Sequence, residues 1–252
     1  MTAPSAPRAL SGRTALVTGA SAGIGAATAR ALAAAGAHVL CAARRRDRLA
    51  ALAAELDGAE AVALDVRDAA QVEAALAARS LDIAVVNAGL ARGLAPLPGG
   101  TPADWDEMID TNLKGLLHVL RAVLPGMIAR GTGDAVLLGS VAGRQVYPGG
   151  NVYCATKHAV RAVYEALRLD AAGTGVRFTT VDPGLVETEF SLVRFRGDAA
   201  RARKVYAGTR PLAPADVAEA ILWAVTRPPH VNVGEIVLWP TDQASTTQVK
   251  RR

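Results

Sequence analysis

Thr14-Ala15-Leu16-Val17-Thr18 leads directly into Gly19-Ala20-Ser21-Ala22-Gly23-Ile24-Gly25, and an alanine-rich stretch follows. The opening run is apolar or β-branched and reads as a buried strand, the glycines mark a tight turn, and Gly23 to Ala35 reads as a helix. Glycines at a strand-to-helix turn have a chemical use. They let the backbone come close to a pyrophosphate, whose charge meets the free amides and the positive dipole end of the helix. Gly19, Ser21, Gly23, Ile24 and Gly25 are therefore candidate ligands of a dinucleotide. Such glycines also occur in ordinary turns, so the rest of the chain must support them.

Working outward, short apolar runs keep alternating with helical stretches. His38 to Ala42 precedes Arg46 to Leu56; Ala61 to Leu64, Ile83 to Asn87, Ala135 to Ser140, Val176 to Val181 and Glu235 to Leu238 are further strands. Helices are expected around 69–78, 103–130, 152–172 and 214–226. Strict alternation predicts an α/β fold: a single doubly wound parallel sheet of the Rossmann type with helices on both faces. The pattern lapses between Glu187 and Arg210, so a short lid insertion is expected at about 187–210. The domain organisation expected is a mobile tail over 1–10 and one catalytic domain over 11–252.

Composition narrows the function classes. Of 252 residues, 51% are apolar and 20% charged, which is globular. No apolar run approaches the roughly 18 to 20 residues of a membrane span, and Met1 to Leu10 lacks the apolar core of a signal peptide. Cys41 and Cys154 show no metal-binding or disulfide spacing, so no metal is expected and a reducing cytoplasm fits. The net charge of +5 permits nucleic-acid binding, but aromatics are only 4% and the arginines are scattered, so no nucleic-acid partner is expected.

The second strand bears on the choice of dinucleotide. An acidic residue at its end would accept from the adenosine ribose hydroxyls of NAD, yet the sequence reads Ala42-Ala43-Arg44-Arg45-Arg46. Arg44 and Arg45 suit the 2′-phosphate of NADP, which they can meet with charge-assisted, forked hydrogen bonds. Asp65-Val66 is placed to contact the adenine, and Asn87-Ala88-Gly89 to pass beneath the dinucleotide. Tyr153 and Lys157 stand at i and i+4, on one helix face, and Ser140 ends the preceding strand. A neighbouring ammonium favours the phenolate form of a tyrosine, so Tyr153 is expected to act as general base on an alcohol or general acid on a ketone. Asn112 lies in Thr111-Asn112-Leu113-Lys114-Gly115.

On these residues the chain resembles the short-chain dehydrogenase/reductase family over almost its whole length. The resemblance implies that Ser140 hydrogen-bonds the substrate oxygen, Tyr153 exchanges its proton, Lys157 holds the nicotinamide ribose, and Asn112 supports a water relay to Lys157. It also implies that Pro183, Gly184 and Thr188 flank the nicotinamide and its phosphates. One departure is Val86-Asn87, where the family usually has paired asparagines. Cys154 beside the tyrosine replaces the usual Ser or Gly and is read as a packing residue. The helices at 103–130 and 152–172 resemble those through which the family forms tetramers or dimers, so a homo-oligomer is expected.

Several stretches are similar to the NADP-dependent 3-hydroxy acid dehydrogenases acting on serine and allo-threonine, above all Phe190 to Asp198. An anionic substrate would account for the basic lid, with Arg194 or Arg196 clamping its carboxylate, whereas Arg144 and Arg92 flank the expected pocket and depart from the simple hydroxy-acid pattern, which leaves room for a larger or different anion. Two alternatives stand beside this: a ketone or aldehyde reductase resembling clavulanate dehydrogenase, suggested by Ala142-Gly143-Arg144 and Pro240-Thr241-Asp242-Gln243, and a non-catalytic NADP-sensing module.

Overall fold

The computed structural model describes residues 8–252. Of the expected tail, residues 1–7 lie outside the described residues. Leu10 does not hang free: it is buried, and its N–H donates to the Ala35 carbonyl at 2.9 Å.

Strands β1 (Thr14–Thr18), β2 (His38–Ala43), β3 (Ala59–Ala63), β4 (Ile83–Val86), β5 (Gly133–Leu138), β6 (Val176–Pro183) and β7 (Glu235–Leu238) form one sheet. Its order is β3-β2-β1-β4-β5-β6-β7, and every neighbouring pair is parallel. The winding reverses between β1 and β4. A crevice opens at such a switch point beyond the carboxyl ends of the strands, and the glycine turn leaves β1 there.

The two-residue period of β1 sends its side chains into separate cores. Leu16 packs with Val119 and Leu120 of α5 (Gly115–Arg130) and Val160 of α6 (Asn151–Asp170), among others on that face. Ala15 and Val17 point the other way, toward Leu32 of α1 (Gly23–Ala34), Leu49 of α2 (Arg46–Glu55) and Ile221 of α9 (Pro214–Val225). Both faces are thus covered, as a parallel sheet requires. The other α-helices among the described residues are α3 (Ala69–Leu76), α4 (Pro102–Ile109), α7 (Phe190–Arg194) and α8 (Ala199–Tyr206). Among the described residues, no helix is long and apolar enough to cross a membrane.

Two segments depart from expectation in form. The single helix expected over 103–130 is α4 and α5 joined by a π-helical turn, Asp110–Lys114. An apolar period does not register one extra residue per turn, and such turns mark functional positions. The expected lid contains α7 and α8, and it is pinned: Tyr206 Oη donates to the Val186 carbonyl at 3.0 Å and accepts from Ser191 Oγ at 2.8 Å.

Candidate active site

The glycine turn is shaped by close backbone approach. Gly19 has φ +69°, and a Cβ there would lie 2.8 Å from Asn87 Nδ2; a Cβ on Gly25 would lie 2.4 Å from the Gly19 carbonyl oxygen. Asn87 ties the turn to the end of β4, its Nδ2 donating to the Thr18 carbonyl at 2.8 Å. Thr18 Oγ1 in return accepts from the Asn87 and Ala88 amides at 3.0 and 3.1 Å. Among the described residues no side chain caps α1, and its first turn carries no acidic residue. The unpaired leading amides therefore face a cleft lined by Ser21, Gly23 and Ile24, the arrangement that takes a phosphate anion.

At the next corner of the cleft, β2 ends at Ala43 with no carboxylate, and Arg44 and Arg45 form the lip. Arg45 Nε donates to Ser21 Oγ at 3.0 Å, and its Nη1 pairs with Glu189 at 2.9 Å. Arg48 pairs with the other oxygen of Glu189 at 2.5 Å. Neither Glu189 nor Arg48 is anticipated in the sequence, although Arg48 follows Arg45 at helical i, i+3 spacing. Asp65 and Val66 line the same cleft. Arg67 grips the Asp65 carboxylate and holds it below the usual carboxylate range. Pro183, Gly184 and Thr188 line the cleft from the far side. A Cβ on Gly184 would come within 2.5 Å of Gln243 Oε1, and the Thr188 methyl would lie 3.2 Å from one on Gly23.

The four residues expected to perform catalysis converge beyond Gly89. The π-helical turn carries Asn112, whose Oδ1 accepts from the Leu90 amide at 2.8 Å and whose Nδ2 donates to the Leu90 carbonyl at 2.8 Å and to Thr156 Oγ1 at 3.1 Å. Lys157, one turn after Tyr153 on α6, is buried, and its Nζ donates to the Leu138 carbonyl at 2.8 Å. Burial lowers the Lys157 pKa to about 8, against the opposing pull of Asp182. Ser140 Oγ accepts from the Ala142 amide at 3.1 Å, and Ser140 lines the cleft together with Tyr153.

Burial, reinforced by Tyr147, pushes the Tyr153 pKa well above the usual phenol range, and the neighbouring Arg194 guanidinium and Ser140 hydroxyl pull it back. Arg194 lies on α7, 9% exposed, with its guanidinium carbon 5.1 Å from the centroids of both the Tyr153 and Phe190 rings. Its Nη2 donates to Tyr147 Oη at 2.7 Å, while Nε is buried without a partner. Among the described residues it forms no ion pair, so it is a buried cation in search of an anion.

The other arginines expected at the substrate are committed elsewhere. Arg196 turns outward and pairs with Asp104 on the surface. Arg144 is neutralised by Asp182 at 2.7 Å and by Glu235, away from the cleft. Arg92 forks onto Glu107 at 2.7 and 2.8 Å and donates to the Val193 carbonyl, which ties α7 down. Each found its carboxylate on another element, 15 residues away for Arg92, 38 for Arg144 and Asp182, and 92 for Arg196, which residue type alone does not foretell.

The parallel sheet agrees with comparisons to known proteins. A family model, short chain dehydrogenase, matches residues 13–197. The NADP-dependent 3-hydroxy acid dehydrogenase YdfG of Escherichia coli is 47% identical over 91% of this chain and 95% of its own length. An uncharacterized oxidoreductase of Mycobacterium tuberculosis is 52% identical over 94% of each chain. Among solved structures, the closed form of serine dehydrogenase complexed with NADP+ superposes with a TM-score of 0.91 at 45% identity, covering 95% of this chain and 99% of that one. Serine dehydrogenase from Escherichia coli superposes with a TM-score of 0.81 at 41% identity, covering 92% and 99%. With the glycine turn, the parallel sheet and the Ser140, Tyr153 and Lys157 cluster in place, the chain belongs to the short-chain dehydrogenase family.

Proposed function

We propose that this dehydrogenase is an NADP(H)-dependent oxidoreductase interconverting a secondary alcohol and its carbonyl, with a small 3-hydroxy acid such as serine or allo-threonine as substrate. When bound, the nicotinamide supplies the hydride acceptor or donor. The uncapped amides of α1 and the glycine turn would hold its pyrophosphate, and Arg44 and Arg45 its 2′-phosphate. Asp65, Val66, Asn87, Ala88 and Gly89 would lie along the dinucleotide, with Pro183, Gly184 and Thr188 at the nicotinamide end. Ser140 orients the reacting oxygen, Tyr153 takes or gives its proton, and Lys157, backed by Asn112, supports Tyr153 from the same helix face.

The observation that carries the acid substrate is Arg194. A buried guanidinium with no counter-ion among the described residues stabilises an anion brought beside Tyr153 and costs free energy without one. The relatives named for 3-hydroxy acids and serine support the same substrate class. A panel of 3-hydroxy acids and neutral secondary alcohols, followed by NADP+ reduction, tests this. Inert acids beside reduced neutral ketones would transfer the chain to the clavulanate-dehydrogenase-like alternative, and NADPH binding without any turnover to the sensing module. For the cofactor, Ala43→Asp with Arg44→Asp should reverse a preference for NADP(H) over NAD(H).

Exposed Leu117 and Ile128 on α5 and Leu169 on α6, 42%, 41% and 80% accessible, support a homo-oligomer, tetramer or dimer. Light scattering that finds a monomer at micromolar concentration would remove that assembly. Free, buried Cys41 and Cys154 fit a cytoplasmic location.

A further inference from the structure

We propose that Glu189 tunes cofactor specificity by occupying, within the protein, the cationic corner that the 2′-phosphate of NADP(H) takes over. This rests on the NADP(H) assignment above. Glu189 immediately precedes α7 at the start of the lid and lines the cleft together with Arg45, the residue that caps α2, while Arg48 stands in the first turn of α2. One carboxylate oxygen accepts from Arg45 at 2.9 Å and the other from Arg48 at 2.5 Å. Arg45 is also held by Ser21 of the glycine turn at 3.0 Å. An anion with two oxygens thus sits between two guanidiniums, at a corner where β2 ends without a carboxylate.

The chemistry of exchange follows from exposure. The paired side chains are 40 to 49% accessible, and ion pairs this open to water are weak and replaceable. A phosphate monoester carries more charge and three acceptor oxygens, so it outcompetes a carboxylate for the same forks. NAD(H) has no group to exchange and leaves the Glu189 pairs in place. Glu189 therefore lowers the affinity for NADP(H) alone, and NADP(H) binding frees the start of the lid from α2.

Fluorescence titration of NADPH and NADH into wild type, Glu189→Gln and Arg48→Gln tests the proposal without turnover. Glu189→Gln should tighten NADPH about two- to sixfold, the worth of an exposed ion pair, and leave NADH unmoved. Arg48→Gln should weaken NADPH and not NADH. If wild type binds both dinucleotides equally, the NADP(H) assignment itself fails. If wild type prefers NADPH but Glu189→Gln weakens it, leaves it unchanged or shifts NADH equally, the competition between carboxylate and phosphate is overturned. Thermal midpoints of the variants confirm that the titrated proteins are folded.

Discussion

The guanidinium carbon of Arg194 lies 5.1 Å from the centre of the Tyr153 ring, bringing the lid's buried cation against the proposed proton donor. Tyr147 Oη accepts from the same guanidinium at 2.7 Å, and Phe190 meets Tyr153 edge-on with centroids 5.6 Å apart. Lid position and the acidity of Tyr153 are therefore physically linked.

Arg194→Met keeps the bulk against the rings and removes the charge. Since a charge-assisted hydrogen bond contributes about 1.5 to 3 kcal/mol, kcat/KM for 3-hydroxy acids should fall by roughly one to two orders of magnitude. Neutral alcohols should be much less affected. Equal losses for both classes in steady-state kinetics would show that Arg194 only builds the wall of the site.

Tyr153→Phe retains the ring packed on Phe190 and deletes the transferable proton. Turnover should drop by about 10²- to 10⁴-fold, the range of general acid–base catalysis, while NADPH affinity measured by fluorescence changes little. Retained turnover would require another proton donor.

The buried ammonium of Lys157 sets a pH dependence of stability. Its folded pKa is about 8 against a reference of 10.5, so the unfolded chain binds more protons between those values and stability rises with pH across that window. The burial cost is fully present below about pH 8 and relieved as pH climbs toward 10.5, by at most about 3 kcal/mol. Lys157→Met lacks this titration. The difference in thermal midpoint, variant minus wild type, should shrink between pH 8 and 10; a constant difference would show that Lys157 is not desolvated.

Two glycine substitutions should act in opposite directions. Gly25→Ala places a Cβ 2.4 Å from a backbone oxygen of Gly19, which cannot move aside, so stability and NADPH affinity should both fall. Gly126→Ala on α5 meets only the end of Arg130 at 3.3 Å and should gain up to about 1 kcal/mol of helix propensity. Denaturant midpoints compare the two directly.

Arg144→Met separates scaffold from substrate. Asp182, with its side chain 3% accessible, would lose its main counter-ion, and stranding a buried charge costs about 3 to 5 kcal/mol. Chemical denaturation should show that loss, with the ratio of kcat/KM between acids and neutral alcohols unchanged.

The alternation of apolar runs with helical stretches determined the sheet, its parallel sense and the cleft at the glycine turn, because burial on both faces leaves a local periodic trace. Tyr153 and Lys157 were equally legible, since i, i+4 spacing on a helix fixes a shared face whatever surrounds it. Helix phase carried no such trace of the π-helical turn that presents Asn112, and alternation could not show that the lid folds into α7 and α8. The fate of each arginine was decided only by tertiary structure. Arg144, Arg194 and Arg196 look alike as residues, yet one is neutralised by Asp182 and Glu235, one is buried without a carboxylate, and one faces solvent beside Asp104. Glu189 met Arg45 and Arg48 for the same reason: an ion pair depends on which elements the chain brings together, and Coulomb attraction over a few ångströms is indifferent to distance along the sequence.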